Sequence, residues 1–110
     1  MSLKKITAED FYKKLKKEKV LLLDVRAEEK YNEYHIEDSN VDSLNINKME
    51  IFKLEDAPSK ELTLPKNREI VVTCTTGNSA TKCASILSNL DYDVVVLEGG
   101  ITAWKEYEGK

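Results

Sequence analysis

The sequence predicts an α/β fold in which a mostly parallel sheet is covered by helices on both faces. Three short apolar runs, at residues 20–24, 70–73 and 94–97, are bounded by polar residues, which is typical of strands buried on both sides. Stretches with helical spacing of apolar residues separate them. This alternation favours parallel pairing with helical crossovers. A length of 110 residues suits one core, so we expect residues 1–110 to form a single domain.

The chain opens with a predicted helix. Thr7 and Asp10 have the spacing of a weak capping box. Apolar residues then recur on one helical face: Ala8, Phe11, Tyr12 and Leu15. The pattern predicts a helix that ends near residue 17, followed by the strand at residues 20–24.

The middle of the chain gives weaker signals. Residues 28–34 read as a short charged helix, and residues 44–46 as a short strand. Residues 48–65 are the least regular, with one or two helical turns predicted at their start. We expect Leu62 and Leu64, near two prolines, to pack under the sheet.

The strand at residues 70–73 leads into the most informative stretch. Cys74 closes this strand, Gly77 lies in a small polar loop, and a helical period begins at Ser79. The free N–H groups and the dipole of a helix N-terminus stabilise negative charge, so this position favours a reactive thiolate. The alternative is that Cys74 is only a small hydrophobic residue at a strand end.

The end of the chain repeats the same plan. A turn at residues 89–93 precedes the strand at residues 94–97, and Gly99 and Gly100 permit a tight turn into a last helix that contains Trp104.

Composition excludes several classes of protein. The net charge is −3 and no basic stripe is present, which argues against nucleic acid as a partner. The apolar runs are too short to span a membrane. Cys74 and Cys83 are the only cysteines, and their spacing is not that of a zinc site. We therefore expect a cytoplasmic protein with reduced thiols, without a metal or another cofactor, and without nucleic acid or membrane partners.

Four motifs together resemble the rhodanese-like domain family. They are the strand and Asp-Val-Arg turn at residues 21–26, the segment from residue 31 to residue 46, the cysteine loop at residues 74–80, and the strand, glycine pair and helix at residues 94–104. The resemblance extends from Ile6 to Trp104. It implies a rhodanese-like three-layer fold, with a central sheet of about five strands and helices on both faces.

The resemblance also implies a sulfurtransferase, or sulfane-sulfur carrier, that works through a persulfide on Cys74. The active-site loop that would cradle the sulfur with backbone amides consists of Thr75, Thr76, Gly77, Asn78, Ser79 and Ala80. Asp24 and Arg26 are expected at the same sheet edge, either as an aid to anion binding or as a structural ion pair. The implied partners are a small donor (thiosulfate or a low-molecular-weight persulfide), a thiol or cyanide acceptor, and as a further option a protein donor or acceptor.

Two departures from the family pattern bear on this function. Members that use thiosulfate usually carry an arginine directly after the cysteine and a basic residue or threonine near the end of the loop; here these positions hold Thr75 and Ser79. A lost charge-assisted hydrogen bond weakens dianion binding about 10- to 100-fold, so the sequence predicts poor thiosulfate turnover. Arg26 or Lys82 could compensate in part. Near His35 the family's usual glycine is replaced by Tyr34.

Other interpretations of the same residues remain open. A related cysteine phosphatase would need an arginine six positions after the cysteine, where this chain has Ala80. A catalytic dyad of His35 with Cys74 is a further hypothesis, although the resemblance implies a structural histidine. Cys83 reads either as buried packing or as a resolving thiol. A rhodanese-like binding or sensor module without turnover is the competing function.

Overall fold

The computed structural model describes residues 3–55 and 64–109, where strands and helices alternate along the chain. The strands are β1 (Lys4–Ile6), β2 (Val20–Asp24), β3 (Val41–Asn45), β4 (Ile70–Thr73) and β5 (Val94–Leu97). The helices are α1 (Ala8–Leu15), α2 (Glu28–Glu33), α3 (Lys48–Phe52), α4 (Asn78–Asn89) and α5 (Gly100–Glu108), and a 3₁₀ turn (Lys53–Glu55) follows α3. No helix in these two ranges is long and apolar enough to cross a membrane.

The five strands form one parallel sheet in the order β1-β5-β4-β2-β3. Asp24 at the end of β2 pairs with Thr73 at the end of β4, so the loops after these strands leave the sheet side by side. The chain passes from β2 to β3 on one side, and from β4 to β5 on the other. A crevice at the carboxyl ends of β2 and β4 is therefore expected, because the connections diverge there.

Side chains from alternate positions of the strands form two cores, one on each face of the sheet. The core under α3 and α4 includes Leu21, Leu23, Val72, Ile51, Cys83 and Leu87. The core under α1 and α5 includes Leu22, Val71, Val95, Phe11, Ile101 and Trp104. This three-layer arrangement confirms the fold class predicted from the sequence.

Some boundaries differ from the predictions. β1 is absent from the sequence-based assignment because its residues are few and two are lysines; it forms by pairing with β5 at the sheet edge. β3 begins at Val41, three residues before the predicted strand, within a segment that reads as an acidic turn. Thr7 caps α1 as predicted by accepting a hydrogen bond from Asp10 N at 3.1 Å, but the helix ends at Leu15.

The segment after α3 agrees with the prediction where it is described. Leu64 is buried in the core under α3 and α4. Leu62 lies outside the described residues.

Candidate active site

Cys74 follows the last residue of β4 and lies almost buried, with 5% of its surface exposed. Its Sγ accepts hydrogen bonds from the backbone N–H of Gly77 at 3.0 Å and from that of Ala80 at 3.4 Å. Amide N–H groups that point at one atom stabilise negative charge on it. Two of the six loop residues expected to form the cradle, Gly77 and Ala80, therefore direct backbone N–H groups at the sulfur.

The turn from the loop into α4 depends on Gly77. This residue is the N-cap of the helix and has a φ angle of +104°, a backbone conformation that residues other than glycine rarely adopt. Its N–H is thereby directed back toward Cys74. The first turn of the 12-residue helix α4 contributes the second donor, Ala80 N–H, so both donors depend on how the helix begins.

A second helix start holds the other side of the loop. The carbonyl of Cys74 accepts a hydrogen bond from Ile101 N–H at 2.9 Å, and the carbonyl of Thr75 accepts one from Thr102 N–H at 3.0 Å. Gly100 permits this contact, since a Cβ there would lie 2.3 Å from the Cys74 carbonyl oxygen. The sequence analysis treated the glycine pair only as a turn, and the structure adds it to the site.

A cleft of about 310 Å³ opens beside Cys74 at the predicted crevice. Three segments line it: the cysteine loop with Thr75, Thr76 and Ser79; the segment after β2 with Val25, Arg26, Ala27 and Lys30; and the start of α3 with Asn47, Lys48 and Met49. The loop contributes only neutral side chains, whereas the two flanking segments contribute cations. Asn78 and Gly77 line a separate hollow on the far side of the loop.

Asp24 and Arg26 form a buried ion pair at the edge of this cleft. The guanidinium Nη2 lies 2.7 Å from Asp24 Oδ2, and Nε lies 3.0 Å from both carboxylate oxygens. Nη2 also donates to the carbonyl of Tyr34. Only 9% of the Arg26 side chain and 2% of the Asp24 side chain are exposed, so the pair fixes the turn after β2, and much of the hydrogen-bonding capacity of Arg26 is used within the protein.

His35 lies away from the cleft that Cys74 lines. Its Nδ1 makes a 2.9 Å hydrogen bond with the carbonyl of Tyr31, and its Nε2 lies 3.1 Å from Glu37 Oε1. The imidazole stacks on the Tyr31 ring with centroids 4.1 Å apart. Both ring nitrogens are thus engaged in local contacts, and the geometry offers no Cys–His dyad.

Cys83 is fully buried on α4, within the core on that face of the sheet. Burial raises the pKa of Cys83 to about 12, and the nearby Cys74 adds to this effect, so the thiol stays protonated near neutral pH. This environment supports the interpretation of Cys83 as core packing. The spacing of apolar residues along this helix had already indicated that Cys83 would be buried.

Sequence reasoning missed Lys30 and Lys48 as members of the site. In the sequence Lys30 lies in the predicted short charged helix and Lys48 begins the least regular segment, and only the fold brings them to the cleft. Lys82, which the sequence suggested as a compensating cation, instead lies over the Phe52 ring, 4.5 Å from its centroid. Across residues 3–55 and 64–109, no three His, Cys, Asp or Glu side chains form a group that could hold a metal ion.

Comparisons with known proteins agree with this architecture. The family model for the rhodanese-like domain matches residues 7–107. A rhodanese-related protein from Thermoplasma volcanium is 30% identical, with 94% of this chain and 92% of that chain covered and a TM-score of 0.72. A rhodanese-like domain protein from Staphylococcus aureus is 26% identical, with 93% and 91% covered and a TM-score of 0.74.

A third structure places a similar fold inside a larger protein. The NAD-dependent persulfide reductase from A. fulgidus is 27% identical over 93% of this chain but only 16% of that chain, with a TM-score of 0.64. No curated protein sequence matches the chain. From the family model and the fold, the chain belongs to the rhodanese-like domain family.

Proposed function

We propose that the protein is a sulfurtransferase that carries sulfane sulfur as a persulfide on Cys74. The observation that carries the proposal is the pair of amide N–H groups aimed at Sγ, at 3.0 Å from Gly77 and 3.4 Å from Ala80. These N–H groups stabilise the attacking thiolate, and they can donate to the outer sulfur once a persulfide has formed. Family membership and the neighbour named a persulfide reductase support the same chemistry.

The transfer takes place in two displacements. The Cys74 thiolate attacks the outer sulfur of the donor, a new S–S bond forms, and the donor's S–S bond breaks with its electron pair on the leaving group. The leaving group is sulfite from thiosulfate, or a thiolate from an alkyl persulfide. A thiolate or cyanide then attacks the outer sulfur of the Cys74 persulfide and releases the Cys74 thiolate, so no external oxidant or reductant is needed.

We expect weak use of thiosulfate. The sulfonate of this donor adjoins the sulfur that is attacked, and Thr75, Thr76 and Ser79 at this end of the cleft are neutral. A second candidate function is a binding or sensor module without turnover. The observation that favours it is the small exposure of Cys74, 5% of its surface.

Intact mass spectrometry of the reduced protein tests the proposal. The protein is incubated with thiosulfate or with a small-molecule persulfide, and cyanide is then added. We expect a gain of one sulfur atom that cyanide removes, with more complete gain from the persulfide. Cys74→Ser should abolish the gain, whereas Cys83→Ala, the matched control at the other cysteine, should keep it.

The outcomes separate the two candidate functions. No gain of sulfur from either donor would reject the carrier and leave the binding module. A gain that survives Cys74→Ser would place the persulfide on another residue. Efficient loading by micromolar thiosulfate would contradict the expected weakness toward this dianion.

A further inference from the structure

We infer that Lys30 and Lys48 select sulfur donors whose negative charge lies several bonds away from the sulfane sulfur, such as carboxylate-bearing alkyl persulfides. The inference rests on the proposed function of Cys74. Its starting point is that both lysines line the same cleft as Cys74, while the residues that the cysteine loop contributes to this cleft are uncharged. The side chains that the cysteine loop contributes are therefore neutral, and the lysines lie on the other two segments that line the cleft.

A backbone hydrogen bond fixes the position of Lys48 at the start of α3, and thereby the point from which its side chain extends. Its N–H donates to the carbonyl of Val25, directly after β2, at 2.9 Å. The preceding residue, Asn47, caps α3 by accepting a hydrogen bond from Met49 N–H at 3.0 Å. From this position Lys48 Nζ reaches to 3.5 Å from Ser79 Oγ, across the cleft.

Both lysines keep their charge available to a ligand. Within residues 3–55 and 64–109, neither Lys30 nor Lys48 has a carboxylate within 4.0 Å. Two other cations near the site are less available to a ligand in this cleft, for different reasons. Arg26 is neutralised by Asp24, and Lys82 is outside the cleft and lies over an aromatic ring.

The size of the cleft favours a donor larger than thiosulfate. Its volume of about 310 Å³ lies at the lower end of the range of about 300–1,000 Å³ that is usual for small-molecule sites. Thiosulfate has five heavy atoms and carries its charge beside the sulfane sulfur. An alkyl persulfide with a terminal carboxylate can place its sulfur at Cys74 and its carboxylate beside the exposed ammonium groups of Lys30 and Lys48. A charge-assisted contact would then stabilise the carboxylate.

The test compares two persulfides that differ in one remote group: that of 3-mercaptopropionate, which carries a carboxylate, and that of 2-mercaptoethanol, which carries a hydroxyl in its place. The rate of persulfide formation on Cys74 is followed by mass spectrometry in the wild type and in the Lys30→Gln/Lys48→Gln variant. We expect the second-order rate constant of loading by the carboxylate donor to fall about tenfold, and to fall less at high salt. The rate constant for the hydroxyl donor should change less than twofold. Lys82→Gln is the matched control and should alter neither rate.

A binding measurement keeps the inference separate from the proposed function. Titration with 3-(methylthio)propionate, an unreactive carboxylate, is followed by NMR in the wild type and in the double variant. Binding that is lost in the variant, without sulfur loading in the wild type, would retain the lysines and reject the carrier. If each donor loads the double variant as fast as it loads the wild type, the carrier is retained and the role of the lysines is overturned. The same conclusion follows if loading by both donors slows by the same factor in the double variant.

Discussion

Replacing Gly100 with alanine tests whether the start of α5 holds the loop that carries Cys74. Gly100 has φ +58°, and a non-glycine residue in this left-handed region costs about 1–2 kcal/mol. The new Cβ would also lie 2.3 Å from the Cys74 carbonyl oxygen and 2.9 Å from that of Thr75. Relieving such overpacking costs about 1–3 kcal/mol. The two contributions together predict a loss of about 2–5 kcal/mol in the free energy of unfolding.

Urea denaturation provides the measurement, with Gly109→Ala as the matched control. A Cβ at Gly109 would have its nearest contact at 3.5 Å, an ordinary van der Waals distance, so we expect a change within about 0.5 kcal/mol. In a domain of this size, the Gly100→Ala loss corresponds to about 8–20 °C in Tm. Because the backbone of Cys74 must move, the rate of its alkylation by iodoacetamide should also change, measured in a Cys83→Ala background.

A Gly100→Ala variant that is as stable as Gly109→Ala, and whose Cys74 is alkylated at the wild-type rate, would contradict this prediction. That result would mean that the hydrogen bonds from Ile101 and Thr102 do not fix the loop. Lower stability with unchanged alkylation would limit the role of Gly100 to folding.

Two further predictions concern ion pairs. Arg26→Ala should lower the free energy of unfolding by about 3–5 kcal/mol in urea denaturation, because it leaves the Asp24 carboxylate buried without its partner. Arg26→Lys should recover only part of this lost stability, since lysine cannot make the bidentate contact. A loss under 1 kcal/mol would contradict this. At Glu69, burial opposes ionisation, but hydrogen bonds from Lys14 and Lys4 outweigh it and hold the pKa below 4.5. The stabilisation is thus present above about pH 4.5 and disappears as the pH falls through the lower folded pKa. Glu69→Gln should therefore lower the free energy of unfolding by about 1 kcal/mol at pH 7 and by progressively less below pH 4.5. Thermal unfolding measured at several pH values tests this. A loss of stability that does not change with pH would show that the charge of Glu69 is not the cause.

Local sequence was sufficient for the central strands and for the cysteine loop. The cores of β2, β4 and β5 are continuous apolar runs, and such runs are stable only when both faces of the strand are covered. The position of Cys74 before a helix start likewise follows from neighbouring residues. These features depend on interactions within a few positions of the chain, so the pattern of residue types reveals them.

The edge strands were harder to predict because their stability comes from their neighbours. β1 has two exposed lysines and no alternation long enough to identify a strand. β3 carries Asp42 and the exposed Leu44, and among the strands of the described residues it pairs with β2 alone. Charged side chains are common on edge strands, where they discourage association with other chains, and they hide the strand from pattern analysis.

The sequence by itself determined the class of fold, the position of Cys74 between a strand and a helix start, and the neutrality of the loop around it, since each follows from residue types at short spacing. Only the tertiary structure decided which distant residues complete the site. The parallel sheet brings the carboxyl ends of β2 and β4 together, so Lys30 and Lys48 reach the cleft and the start of α5 reaches the loop. The hydrogen bonds from Ile101 to Cys74 and from Thr102 to Thr75 each join residues 27 positions apart in the chain, and no local periodicity encodes them.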